Sequence, residues 1–272
     1  MNSSKASDSC SCRKNRIREK MRQFFLPEDY KGSRTLLLKG EDHHYLTRVL
    51  RYGEDKEFPG RDRDGNLYNL KMVEAGQESC LLSVEPDTTD TTRSGNESEN
   101  PIPWITVYPA ILKGKKFDQV IRQATETGVN SIQPLITRNT VVKVSAGDDE
   151  KKRERWQKIA LEASQQCGNP AITAISAPLA LKNLSLPEED CILFFHEKML
   201  ENKPLHRYLR EIPGRLHLFF GPEGGFSPEE TKRFLSAGGK PVYLGSNVLR
   251  AETAVIYGTG AVQTILREHD RW

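Results

Sequence analysis

Apolar positions along this chain follow two different rhythms. From Gln23 to about Val84 the apolar runs are short and partly alternating. Thr35-Leu36-Leu37-Leu38 is strand-like, and a helix-like stretch follows from His43 to Arg51. Next come Glu57-Phe58 and a turn-rich Pro59-Gly60-Arg61-Asp62-Arg63-Asp64-Gly65. Tyr68, Leu70 and Met72 then alternate with Asn69 and Lys71, which is the two-residue period of a half-buried strand, and Cys80-Leu81-Leu82-Ser83-Val84 closes the series. The Asp64-Gly65 pair between two such runs is a hairpin signal. This rhythm predicts a small β-barrel-like domain with one helix over residues 21–85.

The rhythm stops at Pro86. No apolar residue occurs from Thr88 to Asn100, so residues 86–103 are predicted to be a linker. Beyond it, strand and helix patterns alternate. Ile105 to Ala110 is strand-like; Phe117, Val120, Ile121 and Ala124 recur at helical spacing, and Gly128 sits where that helix would stop. Ile132 to Ile136 is the next expected strand, and Pro134 within it points to a sheet edge. Trp156, Ile159, Ala160, Ala163 and Cys167 make one apolar stripe on a helix from Glu150 to Cys167. Further strands are expected at Cys191–Phe195, Leu216–Phe220 and Val242–Leu244. Such alternation predicts an α/β domain with a mostly parallel sheet over residues 104–272.

Composition narrows the class. The 272 residues carry a formal charge of only +3, and 28% of them are charged. Mean hydropathy is −0.61, and no apolar run reaches the roughly 18 residues that a membrane helix needs, so no membrane partner is expected. A charge total this small does not indicate nucleic-acid binding by itself; the placement of the charges must. The five cysteines are odd in number and scattered, which argues against a disulfide framework and for a reducing, cytoplasmic location. Cys10 and Cys12 lack a second ligand pair, so no metal site is expected. Residues 1–20 are rich in Ser, Lys and Arg, and read as a disordered tail, or as an over-long start with Met21 the true first residue.

The candidate chemistry lies in two loops that each join a strand to a helix. The first is Gly221-Pro222-Glu223-Gly224-Gly225-Phe226, entered from Phe219-Phe220. Ser227 followed by Glu230 is a capping-box signature, with Pro228 at the first helical position. Gly221, Gly224 and Gly225 permit positive φ and close backbone approach. The second loop is Leu244-Gly245-Ser246-Asn247-Val248-Leu249-Arg250, before a helix expected to begin at Thr253 and Ala254. Val248 and Leu249 are apolar where a surface turn is usually polar, so a heteroaromatic ring held by main-chain groups would suit them. Neither loop carries the G-K-[ST] ending of a Walker motif or the G-x-G-x-x-G of a dinucleotide fold, which makes ATP, GTP and NAD poor candidates.

At these residues a resemblance becomes specific. G-P-E-G-G-F-S-x-E-E from Gly221, followed by L-G-x-x-V-L-R-x-E-T-A from Leu244, resembles the signature of the bacterial ribosomal RNA small subunit methyltransferase E family, of the SPOUT class. His44–Arg51, Phe117–Thr140 and Arg155–Gly168 are similar to further motifs of that family, so the likeness spans most of Met21 to Arg267. Thr127 stands where the family pattern has Leu. The resemblance implies an N-terminal PUA-like RNA-binding domain and a SPOUT α/β domain with a C-terminal trefoil knot. It implies S-adenosyl-L-methionine as methyl donor, a homodimer, and methylation of N3 of a uridine in 16S rRNA of the small ribosomal subunit.

On that resemblance the donor pocket comprises Phe220 to Gly225, with Leu244, Gly245, Ser246, Val248, Leu249, Arg250, Thr253 and Ala254. The strand end at Phe195, His196 and Glu197 joins it by analogy with the class. Arg250 and Glu252 are the catalytic candidates. Arg250 would stabilise the uridine anion or hold the target nucleotide, its alternative being an ion pair with Glu252. Glu252 would be a base, or simply an acidic residue favoured at a helix N-terminus. Phosphate contacts are expected from Arg48, Arg51, Lys113, Lys115, Lys116, Arg138 and Lys143. The competing functions are a SPOUT enzyme acting on another RNA position such as a tRNA ribose, a non-catalytic RNA-binding assembly factor, and a hydrolase using Cys167 or Cys191.

Overall fold

The computed structural model describes residues 23–87, 102–142, 147–186, 190–201, 203–211 and 213–268. The expected tail at 1–20 with Cys10 and Cys12, nearly all of the expected linker, and Lys143 lie outside the described residues. The chain divides into two compact units between Glu99 and Asn100, with Gln165–Ala171 grouping with the first.

The first unit is built on a five-stranded sheet. Its strands are β1 (Phe24–Phe25), β2 (Thr35–Lys39), β3 (Glu57–Arg61), β4 (Leu67–Ala75) and β5 (Ser79–Pro86), in the order β1-β3-β4-β5-β2. Alternation dictates which side chains enter the core: Leu70 and Met72 of β4 are fully buried with Leu82 and Val84 of β5 and Phe24, Leu46 and Phe58. The hairpin joining β3 to β4 turns at Gly65, whose φ is +79°, and Asp62 clamps it by accepting from the Asn66 amide at 2.8 Å. β3 continues through Pro59 to Arg61, where the sequence pattern suggested a turn. The expected helix at His43–Arg51 begins earlier, as α1 (Gly40–His44), and widens into a π-helical turn at Tyr45–Val49.

The second unit carries a six-stranded sheet that is parallel throughout. β6 (Trp104–Pro109), β7 (Ser131–Ile132), β9 (Ala174–Ile175), β11 (Cys191–Phe195), β12 (Arg215–Phe220) and β13 (Lys240–Val242) lie in the order β13-β11-β12-β6-β7-β9. β11 is buried at every position because both sheet faces are covered, and so it reads as an unbroken apolar run. One face packs Leu193, Phe195, Leu218 and Phe220 against α2 (Lys115–Glu126) and α6 (Ala251–Arg267); the other packs Phe194 and Phe219 against Phe234 of α5 (Pro228–Ser236). Within that second face His217 bridges Tyr108 and Asp190, at 2.9 Å from each. The remaining helices are α3 (Asp148–Cys167) and the single turn α4 (Leu205–Tyr208).

Several expected elements need correction. The strand expected at Ile132–Ile136 breaks in two: β7 is an inner strand, and β8 (Leu135–Ile136) pairs instead with β10 (Leu179–Ala180). Pro134, which has no N–H to donate, marks the break rather than an edge, while its carbonyl accepts from Leu179 at 3.0 Å. β13 starts and ends two residues before the expected Val242–Leu244, leaving Leu244 in the following loop. α6 begins at Ala251 rather than Thr253.

The capping box at α5 forms as the sequence predicts: Ser227 Oγ accepts from the Glu230 amide at 3.2 Å and Glu230 Oε2 accepts from the Ser227 amide at 2.8 Å. Ser227→Ala is expected to lower global stability by about 1 kcal/mol, and Ser227→Gly by only a few tenths. Urea unfolding of the two variants checks this ranking.

Candidate active site

The C-terminal ends of β11, β12 and β13 lie side by side, and the chain leaves them through the residues around His196 and the two glycine-bearing loops. In parallel α/β sheets this is the end where ligands bind. A cavity of about 720 Å³ opens there, within the range typical of small-molecule sites.

Phe195, His196 and Glu197 form one wall. The His196 amide donates to the Val242 carbonyl at 3.0 Å, prolonging the β11–β13 pairing, and its ring Nδ1 accepts from the Lys198 amide at 3.0 Å. That ring nitrogen is thus committed to its own turn.

Gly221, Pro222, Glu223, Gly224 and Gly225 form the second wall. The turn closes through the Gly225 amide, which donates to the Pro222 carbonyl at 2.9 Å. The three glycines are there for three different reasons. Gly225 alone adopts the left-handed region, with φ +65°. At Gly221 a Cβ would stand 3.1–3.2 Å from main-chain atoms of Gly225 and Phe226, so the requirement is close approach. At Gly224 a Cβ would meet only the Asn139 side chain, at 3.3 Å. Of the two freedoms that the sequence allows these glycines, positive φ is used at Gly225 and close backbone approach at Gly221.

Asn139 escaped the sequence reading. Its Nδ2 donates to the carbonyls of Gly224 and Gly225, at 3.0 and 3.1 Å. Its own turn is fixed by Thr140 Oγ1, which accepts from the Thr137 amide at 2.9 Å. The adjacent Arg138 amide donates to Glu230 Oε1 at 2.9 Å, tying this turn to the capping box. No local pattern marks Asn139, because its partners lie 85 and 86 residues away. Asn139→Ala is expected to weaken ligand binding about tenfold through loss of a shared donor worth roughly 1–1.5 kcal/mol, with little change in unfolding midpoint. Isothermal calorimetry on the variant checks it.

Leu244, Gly245, Asn247, Val248, Leu249, Arg250, Ala251 and Ala254, with Lys116, complete the lining. Val248 is 84% exposed, an unusual position for its chemistry. Arg250 is the N-cap residue of α6, and among the described residues its guanidinium has no hydrogen-bond or ion-pair partner. The alternative pairing of Arg250 with Glu252 is not formed: Glu252, 12% exposed, faces Lys116 Nζ at 3.6 Å. The second Glu252 oxygen is buried without a hydrogen-bond partner. Phe220, Ser246 and Thr253 do not line the cavity; Phe220 lies beneath it, stacked on Phe195 at 4.2 Å between centroids. A Cβ on Gly258 of α6 would stand 2.7–2.8 Å from those two rings, so the helix carrying Arg250 and Glu252 lies directly on them.

The charges expected to meet phosphate are dispersed. Lys113 is exposed between β6 and α2 and Lys115 is exposed at the first position of α2, whereas Lys116 turns to the cavity. Arg138 is exposed and pairs with Glu229 at 3.5 Å. Arg48 and Arg51 are exposed in the first unit, Arg51 at φ +57°. Burial pushes the Cys191 thiol above its ordinary range despite nearby Lys240, which makes it a poor nucleophile. Among the described residues no cluster of His, Cys, Asp or Glu is arranged to hold a metal, and no helix is long and apolar enough to cross a membrane.

Residues 98–263, which include every residue lining the cavity, match the RNA methyltransferase domain family. The ribosomal RNA small subunit methyltransferase E of Synechocystis is 31% identical over 85% of this chain and 74% of its own length. That of Aquifex aeolicus is 31% identical over 85% of this chain and 95% of its own. This chain belongs to the ribosomal RNA small subunit methyltransferase E family. The ribosomal RNA small subunit methyltransferase E of Neisseria gonorrhoeae, solved bound to S-adenosyl methionine, superimposes with a TM-score of 0.77 at 26% identity, covering 90% of this chain and 98% of that one. Membership in the ribosomal RNA small subunit methyltransferase E family makes the chain an RNA methyltransferase and removes the cysteine hydrolase from consideration.

Proposed function

We propose that this protein transfers the methyl group of S-adenosylmethionine to N3 of a uridine in 16S rRNA of the small ribosomal subunit. The observation that carries the reading is the cavity at the ends of β11, β12 and β13, walled by two glycine-bearing loops and lying wholly inside the family's matched span. The residues present fit the donor. The glycines bring main chain to the cavity wall with no side chain over it, and Phe195, Leu244, Val248, Leu249 and Ala254 give apolar surface for an adenine ring. Glu197 and Glu223 supply carboxylates for a cationic ligand. When bound, S-adenosylmethionine supplies a methyl group on a cationic sulfur, already activated for transfer.

The protein's own work is placement and charge. Uridine N3 is a poor nucleophile until its proton leaves, so positive charge beside the base lowers the barrier. Arg250 meets that need: it lies at the cavity, carries five N–H donors and, among the described residues, spends none on the protein. The first unit is read as a PUA-like RNA-binding domain over residues 21–85, joined by a linker at 86–103 to a SPOUT domain over 104–272. Exposed Arg48, Arg51, Lys113, Lys115 and Arg138 would contact phosphates, with Lys143 as a further candidate. The strand order supports a C-terminal trefoil knot, since the chain runs from β12 past β11 to β13. A homodimer working in the cytoplasm completes the reading.

The test is methylation of small ribosomal subunits from a strain lacking the endogenous activity, with the modified nucleotide mapped by nucleoside mass spectrometry. 3-Methyluridine at one rRNA position is the expected product. A ribose methyl, or a product on tRNA alone, would overturn the substrate. Absence of S-adenosylmethionine binding by calorimetry would instead indicate a non-catalytic assembly factor.

A further inference from the structure

The sequence groups Lys116 with several cations expected to meet phosphate, but its placement sets it apart. It lies in the first turn of α2 and lines the cavity. Its Nζ stands 3.6 Å from Glu252 Oε1 and 3.8 Å from Glu223 Oε1, close enough for charge pairing and too far for hydrogen bonds. Among the described residues none of its three N–H donors is spent on an acceptor. The two carboxylates therefore hold the ammonium in place and leave its hydrogen-bonding capacity free at the cavity.

Building on the uridine-methylating reading, we propose that Lys116 is a catalytic residue that donates to a carbonyl oxygen of the target uracil and stabilises the ionised imide. The charge balance selects this ligand. The ammonium charge is already paired by two carboxylates, which disfavours a permanent anion such as phosphate, while its unspent N–H donors can serve a neutral carbonyl. In the assisted step the N3–H bond breaks and the proton passes to water at the cavity mouth. The electron pair left on N3 delocalises onto the carbonyl oxygen that faces the ammonium. Lys116 can only donate, so it would pair with a uracil O4, which accepts, and oppose the amino group that cytosine carries at the same position.

The experiment compares wild type with Lys116→Met, Lys116→Gln and Lys116→Arg on small ribosomal subunits. Expected for Met and Gln is a single-turnover rate at least about 100-fold lower, with the donor Kd unchanged within about twofold by calorimetry. The pH at which their rate levels off should move upward, because the imide must ionise unaided, and Arg should restore part of the rate. Gln carries the test if the Met variant does not fold. A wild-type rate, a loss confined to donor affinity, or a salt-sensitive rise in KM for RNA with kcat intact would each overturn the assignment. Wild-type protein that leaves uridine N3 unmethylated would overturn the functional reading itself, whereas active wild type with equally active variants would overturn Lys116 alone.

Discussion

Arg250→Ala is expected to lower kcat/KM on small ribosomal subunits by about 10²–10³-fold, the usual loss when a preorganised donor to developing negative charge is removed. The donor Kd should stay near the wild-type value. The structure separates the two effects. Arg250 serves the fold through its main chain: it precedes α6 with extended φ −63° and ψ 150°, and its carbonyl accepts from the Ala254 amide at 2.8 Å. Alanine keeps both features. The side chain is exposed and uncommitted among the described residues, so its loss orphans no partner among them. Lysine at this position should recover charge without the planar fork, and hence only part of the rate. Wild-type turnover by the alanine variant would remove Arg250 from the chemistry, and a matching fall in donor affinity would reassign it to donor binding.

A graded series at the glycine loop is the second large effect. Gly221→Ala is expected to weaken S-adenosylhomocysteine binding by 100-fold or more, about 2.7 kcal/mol. Its Cβ would stand 3.1–3.2 Å from backbone atoms of Gly225 and Phe226, which cannot rotate aside as a side chain can, so the main chain of the turn itself must give by a few tenths of an ångström. Gly225→Ala should also be severe, because φ is +65° and the new Cβ would stand 3.0 Å from Glu197 Oε2. Gly224→Ala should be mild, since the Asn139 side chain at 3.3 Å can yield. Calorimetric Kd values for the three variants test the order. Equal losses at all three positions would show that the loop is intolerant in general, and that the separate contacts do not set its shape.

What sequence made legible follows from the range of the interactions concerned. The apolar run of β11, the stripe on α2 and the capping box at Ser227–Glu230 are local, and each could be read from a few consecutive residues. The Gly221 and Leu244 loops were recognised as one site because each follows a strand and carries a family motif. Contacts between distant segments were not legible. Asn139 reaching Gly224, and Lys116 standing between Glu223 and Glu252, depend on how the sheet orders its strands. Pro134 shows a local rule giving the wrong answer: a missing N–H was read as an edge, yet the chain uses it to leave one sheet for another. β9 and β10, two residues each, are too short to produce a period and passed unnoticed.

Glu230 accepts one bond from Ser227 inside its own helix and another from Arg138 across the fold. A single carboxylate therefore fastens the start of α5 and, through the neighbouring Asn139, the rim of the cavity. Fraying of that first helical turn is therefore expected to free the Arg138–Asn139 turn with it, so that the order of a helix start and the shape of a distant rim are linked through one side chain.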